Sequence, residues 1–350
     1  MKLSTIIIYL IALQTTVYAQ STNIPDNNFE QKLIDLAVDD VLDGEVLTAS
    51  IDTITSLIIP SSEISDLTGI EDFAALETFN CADNELTTLD LSFNTDIRIV
   101  NCSINSLSSL NTNNCSNLEI MVCPINSLIS VDFSDNVSLI TLIISDNQLA
   151  TLDVSNNNNL IYLSCDQNEL TELNVWSLEV LQTVACQENN LTTLDLSSNI
   201  SLVESYLQFN NLSSLNLQNG NNLAICSDCF SCLNNPDLNC IEVDDPDYSN
   251  DNWPNRNDHT SFSEECGLSV DETSFTKVNV YPNPANTTLN FDLEDNQATY
   301  SIYNTAGELL KKGELANGSS SIDISELPSG LYSVHLVGES FNYSVRSVIQ

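Results

Sequence analysis

Residues 76–96 read LETFNCADNELTTLDLSFNTD, and residues 97–117 read IRIVNCSINSLSSLNTNNCSN, with the same residue types at the same positions. This 21-residue unit occurs seven times without an insertion over residues 76–222. A fixed period of about 20–50 residues is the signature of a stacked array. The apolar residues of each unit stand two apart in pairs, as at Phe79 and Cys81, which is the spacing of a β-strand. The sequence therefore predicts two short extended segments per turn, stacked into a rod roughly 34 Å long at about 4.8 Å per turn.

An asparagine column supports this stacking. An amide inside an apolar rod is costly unless its donors and acceptor are paired. Stacked turns provide that pairing if each amide bonds the backbone of the next corner, so we expect a structural ladder without a catalytic role. The column consists of Asn84, Asn105, Asn126, Asn147, Asn168, Asn189 and Asn210.

A second column carries cysteine in most units. Because isoleucine and leucine replace cysteine there, the position requires an apolar group, and we expect free, buried thiols. Cross-turn disulfides or a bound metal are the alternative reading. The column consists of Cys81, Cys102, Cys123, Ile144, Cys165, Cys186 and Leu207.

The unit resembles the leucine-rich repeat consensus, LxxLxLxxNxL, in its 21-residue form, whose second half (residues 86–94) echoes the first. The resemblance covers residues 76–222. The departures are Cys115, Leu178, Ser205 and Gly220.

In that family the residues that flank the inward pair of the first strand form a concave binding surface. The resemblance therefore implies that several apolar residues on neighbouring turns face solvent together, and such a patch usually marks a contact surface. The alternative is that they pack on each other or beneath a cap. The candidate ligand-binding residues are Ile99, Ile104, Ile120, Val122, Ile125, Ile143, Tyr162 and Tyr206.

The outward positions of the second half-turn are polar nearly throughout. Their carboxylate and amide oxygens form a row that is either an ordinary solvated face or a calcium-binding one. The row consists of Asp90, Asn111, Asp132, Asp153, Asn174, Asp195 and Asn216.

The overall charge excludes some partners. The chain has 49 acidic and 8 basic residues, for a formal charge of −41. Phosphate backbones need a basic surface, so nucleic acid is not an expected partner, and anionic membranes are disfavoured as well.

The first 75 residues lead into the array. Residues 1–19 read as a secretory signal peptide, too short in its apolar run for a transmembrane helix. Residues 20–75 are expected to form an N-terminal cap and a degenerate first repeat. The cap contains a helix with Phe29, Leu33, Leu36 and Ala37 on one face. The acidic stretch near residues 39–43 favours an ordinary turn over a calcium loop, because its ligand spacing is wrong for an EF-hand.

A cysteine-containing C-terminal cap is expected at residues 223–268. In an exported chain its five cysteines favour disulfides, and we predict a bond between Cys240 and Cys266. The run formed by Cys226, Cys229 and Cys232 would permit zinc, but no fourth ligand is evident.

After a linker at residues 269–275, residues 276–350 show seven short alternating segments, which predict a small β-sandwich. Three motifs in order resemble the type A C-terminal sorting domain of the type IX secretion system of Bacteroidota. The resemblance implies passage through that secretion machinery, followed by release or attachment to surface lipopolysaccharide. The sorting-motif residues are Tyr281, Pro282, Asn283, Pro284, Gly307, Gly330 and Tyr332.

The expected fold is therefore mainly β, a leucine-rich repeat solenoid with an N-terminal helical cap, followed by a small Ig-like β-sandwich. The expected function is secreted or cell-surface binding of a protein or glycan, without catalysis and without a required cofactor. A calcium-bound structural surface protein is the alternative. An exported hydrolase is disfavoured, since His259 and His335 lie outside the array and no nucleophile-elbow or zinc-protease motif occurs.

Overall fold

The computed structural model describes residues 20–266, 279–293, 298–316, 318–338 and 342–350. The predicted signal peptide and the predicted linker lie outside the described residues.

The described chain begins with a small α/β lead-in. It contains β1 (Ser21–Asn23), α1 (Asn27–Asp35), β2 (Glu45–Leu47) and α2 (Thr48–Ile51), and β1 pairs with β2 in antiparallel fashion. Helix α1 begins after Asp26, whose carboxylate accepts the first free N–H groups of the helix.

Helix α1 packs one face on the end of the array. Phe29 and Leu33 are fully buried in the same core as the repeats, and the Phe29 ring stacks on Phe73 at 6.2 Å. The helix ends earlier than the apolar spacing predicts. Leu36 is 49% exposed and Ala37 has φ +58°, so the predicted helical face was too long by these two residues.

The array is a parallel solenoid. In chain order its strands are β3 (Ser56–Ile58), β4 (Thr78–Asn80), β5 (Thr88–Asp90), β6 (Ile99–Asn101), β7 (Ser109–Asn111), β8 (Ile120–Val122), β9 (Thr141–Ile143), β10 (Tyr162–Ser164), β11 (Thr183–Ala185), β12 (Thr193–Asp195), β13 (Glu204–Tyr206), β14 (Ser214–Asn216), β15 (Phe230–Ser231), β16 (Cys240–Glu242) and β17 (Ser261–Ser263). Nine of them, in the order β3-β4-β6-β8-β9-β10-β11-β13-β15, form one continuous sheet.

The second half-turn is less regular than the repeat predicts. Its strands form a pair, β5-β7, and a four-stranded sheet, β12-β14-β16-β17. The corresponding segments of the three middle turns contain no strand, although Leu152 and Leu173 still point into the core with 7% exposure. The second segment of those turns therefore does not pair as a strand, while its inward apolar position is kept.

The asparagine column lies inside the corners as a ladder of side-chain bonds. The Asn168 amide nitrogen donates to Ile144 and Cys165 carbonyls at 3.0 and 3.1 Å, and its oxygen accepts the Leu149 N–H at 3.0 Å. Ile144 and Leu149 belong to the preceding turn, so each amide ties its own corner to the turn before it, and the predicted bond to the next corner was in the wrong direction. The ladder is half-buried at Asn84 and more deeply buried farther along the chain.

A second ladder occupies the corner of the opposite half-turn. Asn94, Asn136, Asn157 and Asn199 are at most 1% exposed, and each donates to two carbonyls of the preceding turn. Cys115 replaces one of these amides, and its thiol lies 3.2 Å from the Leu91 carbonyl oxygen. The departure from the consensus therefore preserves the direction of the bond in a weaker form.

An aromatic cluster closes the far end of the solenoid. Helix α3 (Pro246–Asn252) precedes Trp253, which is fully buried and stacks on Phe230 at 4.8 Å. Phe262 lies edge-on to Trp253, and the Arg256 guanidinium sits 4.7 Å from the centre of the Phe262 ring. These contacts cover the apolar end of the stack that the last strands would otherwise expose.

The C-terminal region forms two antiparallel sheets around one core. Its strands are β18 (Asn279–Tyr281), β19 (Thr288–Leu293), β20 (Ala298–Tyr303), β21 (Leu309–Leu315), β22 (Gly318–Asp323), β23 (Gly330–Gly338) and β24 (Asn342–Ile349). The sheet orders are β18-β19-β22 and β21-β20-β23-β24. Residues from both sheets, including Phe291, Ile302 and Leu336, share one buried cluster, which is the core that the seven predicted strands require.

Candidate binding face

The outward surface of the nine-stranded sheet, termed the strand face, is an ordered grid. Strand pairing places Ile99 beside Ile120, Ile120 beside Thr141, and Tyr162 beside Thr183. Neighbouring rows are therefore about 4.8 Å apart. Residues two positions apart in one strand point to the same side, so each turn contributes several side chains to this face.

Exposed aliphatic side chains dominate the first half of the strand face. Ile99 is 37% exposed, and Ile120, Val122 and Ile143 are half-buried among their neighbours. We call the group formed by these four residues together with Ile104 and Ile125 the apolar patch. Ile140 and Ile161, immediately before β9 and β10, are also 36% and 37% exposed. They precede the strand in their turns, a position that carries charge in the first units and therefore gave no apolar signal.

The corner after each strand has a left-handed backbone. The residues there have φ between +52° and +59°, and two of them are Ile104 at +55° and Ile125 at +58°. Branching at Cβ makes this conformation costly, about 1–2 kcal/mol for each residue. These side chains are also 47% and 48% exposed, so no core packing compensates for the strain. Strain held at an exposed apolar side chain is an observation that favours a function at that position.

The second half of the strand face carries tyrosines and acids. Ser145 and Ser164 hydroxyls lie 2.8 Å apart, and both donate to the same carboxylate oxygen of Asp166, at 2.7 and 2.6 Å. The Thr183 hydroxyl donates to Glu204 at 3.2 Å.

These acids affect the tyrosines beside them. Burial, followed by the nearby Asp166 and Glu204 carboxylates, raises the pKa of Tyr162. Burial also raises the pKa of Tyr206, with Glu204 as the next cause. Both phenols therefore stay protonated at neutral pH and can donate a hydrogen bond.

The acidic row of the second half-turn has a structural explanation. All seven of its members accept the backbone N–H two residues ahead; Asp132, for example, binds the Ser134 N–H at 2.9 Å. Such turns recur wherever Asp or Asn ends a strand. The bonds from Ser134 lower the pKa of Asp132. Within the described residues, no three His, Cys, Asp or Glu side chains are grouped closely enough to bind a metal.

The cysteine column lies in the core. Cys81, Cys102, Cys123, Cys165 and Cys186 are fully buried and unbonded. Burial raises the pKa of Cys186 to about 12, so its thiol is not a nucleophile at neutral pH.

The C-terminal cap contains two disulfides. Cys240 is bonded to Cys266, the pair that the sequence analysis selected. Cys226 is bonded to Cys229, and Cys232 is buried and free. Since two of the three sulfurs in that run are joined, the run does not offer three thiolates to a zinc ion.

The residues of the first sorting motif lie beside the end of the last strand. The Asn283 side chain donates to the Arg346 carbonyl and accepts the Val348 N–H, both at 2.9 Å, so it pairs with β24 as a strand would. Tyr281, Pro282 and Pro284 flank it, and both X–Pro bonds are cis.

The other two motifs form turns and a strand end. Gly307 has φ +75° in the turn that closes on Asn304, a conformation that suits glycine. The Tyr332 hydroxyl donates to the Pro328 carbonyl at 2.6 Å. Gly330 begins β23 with ordinary backbone, and a Cβ there would only touch the Tyr332 ring.

Comparison with known proteins gives two kinds of match. Residues 279–350 match the family model of the secretion system C-terminal sorting domain. Internalin J of Listeria monocytogenes serotype 4b (strain F2365) is 36% identical over 91 residues, which is 24% of this chain. The match spans 10% of that curated protein, so this chain corresponds to a small part of its length.

Several solved repeat structures are also similar. The functional domain of internalin J from Listeria monocytogenes, described as including a cysteine ladder, has a TM-score of 0.32 at 19% identity, over 96% of this chain and 100% of that one. Internalin C2 from strain 4b F2365 of that organism has a TM-score of 0.47 at 24% identity, over 56% and 91%. YopM from Yersinia enterocolitica WA-314 has a TM-score of 0.43 at 20% identity, over 60% and 42%.

In the part of the chain that the structure describes, no helix has the length and apolar character needed for a membrane span.

Proposed function

We propose that this leucine-rich repeat protein, exported through the type IX sorting domain at its C-terminus, binds a protein partner on its strand face. The sorting domain makes it a secreted or cell-surface protein. The repeat array acts as a binding module without catalytic activity.

The apolar patch carries the proposal. Ile99, Ile120 and Ile143 lie on the adjacent strands β6, β8 and β9, with rows about 4.8 Å apart, so they form one surface rather than scattered exposures. Two other members of the patch, Ile104 and Ile125, keep a strained backbone while remaining about half exposed. The same corner carries Asp83 and Asp146 in other turns, and aspartate adopts a left-handed backbone at lower cost than isoleucine does.

A protein fits this patch better than a glycan does. Aliphatic side chains gain by excluding water from apolar surface, and protein interfaces have apolar centres with polar rims. A glycan would instead need aromatic platforms and a dense set of polar groups. A glycan partner is therefore a second outcome of the test and is not favoured by the patch.

The parts of the chain on either side of the repeats have supporting roles in this proposal. We assign helix α1 the role of an N-terminal cap, and the C-terminal sheets the role of an Ig-like sandwich. The boundaries are a cap at residues 20–75, repeats at 76–222, a C-terminal cap at 223–268 and the sorting domain from 276. The array is proposed to work without calcium, because the Asp and Asn oxygens of the second half-turn already bind backbone N–H groups.

The test replaces part of the patch. We expect the triple variant Ile120→Ser, Val122→Ser and Ile143→Ser in the exported chain to lose capture of the partner from the cell surroundings. A matched control replaces three exposed aliphatic residues away from the strand face with serine, namely Ile129, Val137 and Ile200, which are 64%, 48% and 54% exposed. Both variants should unfold within a few degrees of the parent. Equal capture by the patch variant and the control would refute the proposed function.

A further inference from the structure

We infer that the protein partner places a lysine or arginine side chain in an acidic notch between Tyr162 and Tyr206, next to the apolar patch. This inference rests on the proposed function and adds the chemistry of the partner. It concerns the second half of the strand face, where Tyr162 and Tyr206 were the only candidate binding residues predicted from the sequence.

Strand register defines the notch. On β10, β11 and β13, Tyr162 lies beside Thr183 and Thr183 beside Glu204. In the next row, Ala185 lies beside Tyr206. The two tyrosines therefore stand at opposite corners, with the small Thr183 and Ala185 between them. This arrangement leaves two aromatic walls over a floor of small side chains.

The burial of the floor shows that the walls rise above it. Thr183 is 8% exposed and Ala185 is 6% exposed, although both point outward from the sheet. Thr78 and Thr141 occupy the same position in other turns and are only half-buried. Tyr162 adjoins both Thr141 and Thr183, so the deeper burial of Thr183 comes from its other neighbour, Glu204, whose carboxylate accepts the Thr183 hydroxyl. A ligand group that enters here meets aromatic faces, which attract cations.

A third row adds acceptors that have no donor. Asp166 belongs to this row, since its carboxylate bonds the outward-facing Ser164 hydroxyl. Gln187 and Gln208 occupy the same position in the next two turns, and their side-chain carbonyl oxygens have no hydrogen-bond partner and are shielded from solvent, so a ligand donor reaches them only when these side chains turn outward. Buried acceptors of this kind are uncommon in native proteins and call for a donor. An ammonium or guanidinium group supplies several donors and no acceptor.

The surrounding charge has one sign. Residues 160–222 contain no lysine or arginine, whereas Asp166, Glu188 and Glu204 lie on or beside the strand face. Cations are therefore steered toward this half, and an anionic partner group is repelled. The centre of the apolar patch at Ile120 is three strands from Thr183, or about 14 Å. The complementary epitope therefore has an apolar group and a basic group about that far apart.

The probe is a short peptide of defined charge. We suggest acetyl-Leu-Ser-Leu-Ser-Ser-Lys-Ser-Lys-amide, with a matched form in which both lysines are Nε-acetylated, so that length is kept and charge is removed. Binding to the full exported chain is followed by NMR of selectively labelled tyrosine rings. The lysine peptide should shift the Tyr162 and Tyr206 signals, and the acetylated peptide should bind at least about tenfold more weakly.

Three variants locate the effect. Glu204→Gln should weaken the lysine peptide about tenfold, and Ala185→Lys, which places a cation of the chain's own in the notch, should abolish its binding. Glu172→Gln removes the same charge from the exposed opposite half-turn and should change binding by less than about twofold. Raising sodium chloride from about 50 mM to about 500 mM should weaken binding to the parent and leave the acetylated peptide unaffected.

The outcomes separate this inference from the proposed function. If the acetylated and free lysine peptides bind alike, or if Glu172→Gln weakens binding as much as Glu204→Gln, the notch is not a cation site and the inference is wrong. If the triple serine variant of the apolar patch still loses partner capture in that case, the proposed binding function remains supported. If neither set of strand-face variants changes capture of the protein partner, the proposed function itself is wrong.

Discussion

Replacing Asn168 with alanine tests the physical basis of the rod. The Asn168 side chain makes four bonds: to the Ile144, Cys165 and Asp166 carbonyls at 3.0, 3.1 and 3.2 Å, and from the Leu149 N–H at 3.0 Å. The residue is 8% exposed, so water cannot readily replace these bonds.

The magnitude follows from which groups lose their last partner. The three carbonyls each keep another donor, supplied by Asn147, by Asn189 and by the Asp146 N–H. Each of those lost bonds costs about 0.5 kcal/mol, at the low end of a net hydrogen bond. The Leu149 N–H keeps no acceptor, which costs about 1–3 kcal/mol. The expected loss is about 3 kcal/mol, or roughly 6–12 °C in Tm for an array of this size.

The assay is urea unfolding of the purified exported chain, followed by far-UV circular dichroism, with Tm as a second measurement. The control is Asn158→Ala, since Asn158 is exposed and the structure shows no side-chain hydrogen bond for it. It should change stability by less than about 0.5 kcal/mol. If Asn168→Ala and Asn158→Ala lower stability equally, the ladder does not stabilise the stack, and the assignment of inward and outward columns loses its main support.

Three further predictions concern the ends of the chain. Asp26→Ala should cost about 1–2 kcal/mol, since a helix cap and a tie to the first turn are lost. Burial raises the pKa of Asp26, but bonds from Ser65 and other N–H groups lower it further, so the net shift is downward. The Asp26 carboxylate therefore contributes to folding stability above the usual carboxyl pKa of 3.8, and this contribution is lost as pH falls below that value. Unfolding of the parent at pH 7 and pH 3, with the alanine variant as control, will measure the loss. Cys266→Ser should cost about 3.5 kcal/mol by opening the loop that Cys240 closes, and the parent and variant should converge in reductant; a difference that persists in reductant would contradict this origin. Asn283→Ala should free the last strand, seen as faster hydrogen exchange at the Val348 amide and as less protein outside the cell, and unchanged exchange would refute the bracing role.

Some features follow from the repeat alone. A 21-residue period fixes which residues face inward, because each turn must return to the same position for its neighbour to cover it. This is why the cysteine and asparagine columns occupy the core and corners that the spacing predicts. It also explains why Ser205 is tolerated: one small inward residue interrupts a continuous core without breaking the register.

Other features needed the folded molecule. Sequence spacing placed Ile104 and Ile125 on the surface, but it could not show that they sit in left-handed corners, because that conformation is imposed by bonds to the following turn. The spacing also could not show that the second half-turn lacks strands in the middle turns. A three-residue segment becomes a strand only when the backbone of a neighbouring turn pairs with it.

The stack, its inward columns and its sorting motifs could be predicted from residue types at fixed positions along one chain. How deeply the outward residues are buried became visible only in the folded molecule. Thr183 and Thr141 are equivalent in the repeat, yet one forms the floor of a notch and the other does not. Both threonines adjoin Tyr162, so the difference comes from the neighbour on the other side, which is Glu204 beside Thr183 and Ile120 beside Thr141. The recognition surface is therefore a property of adjacent turns together.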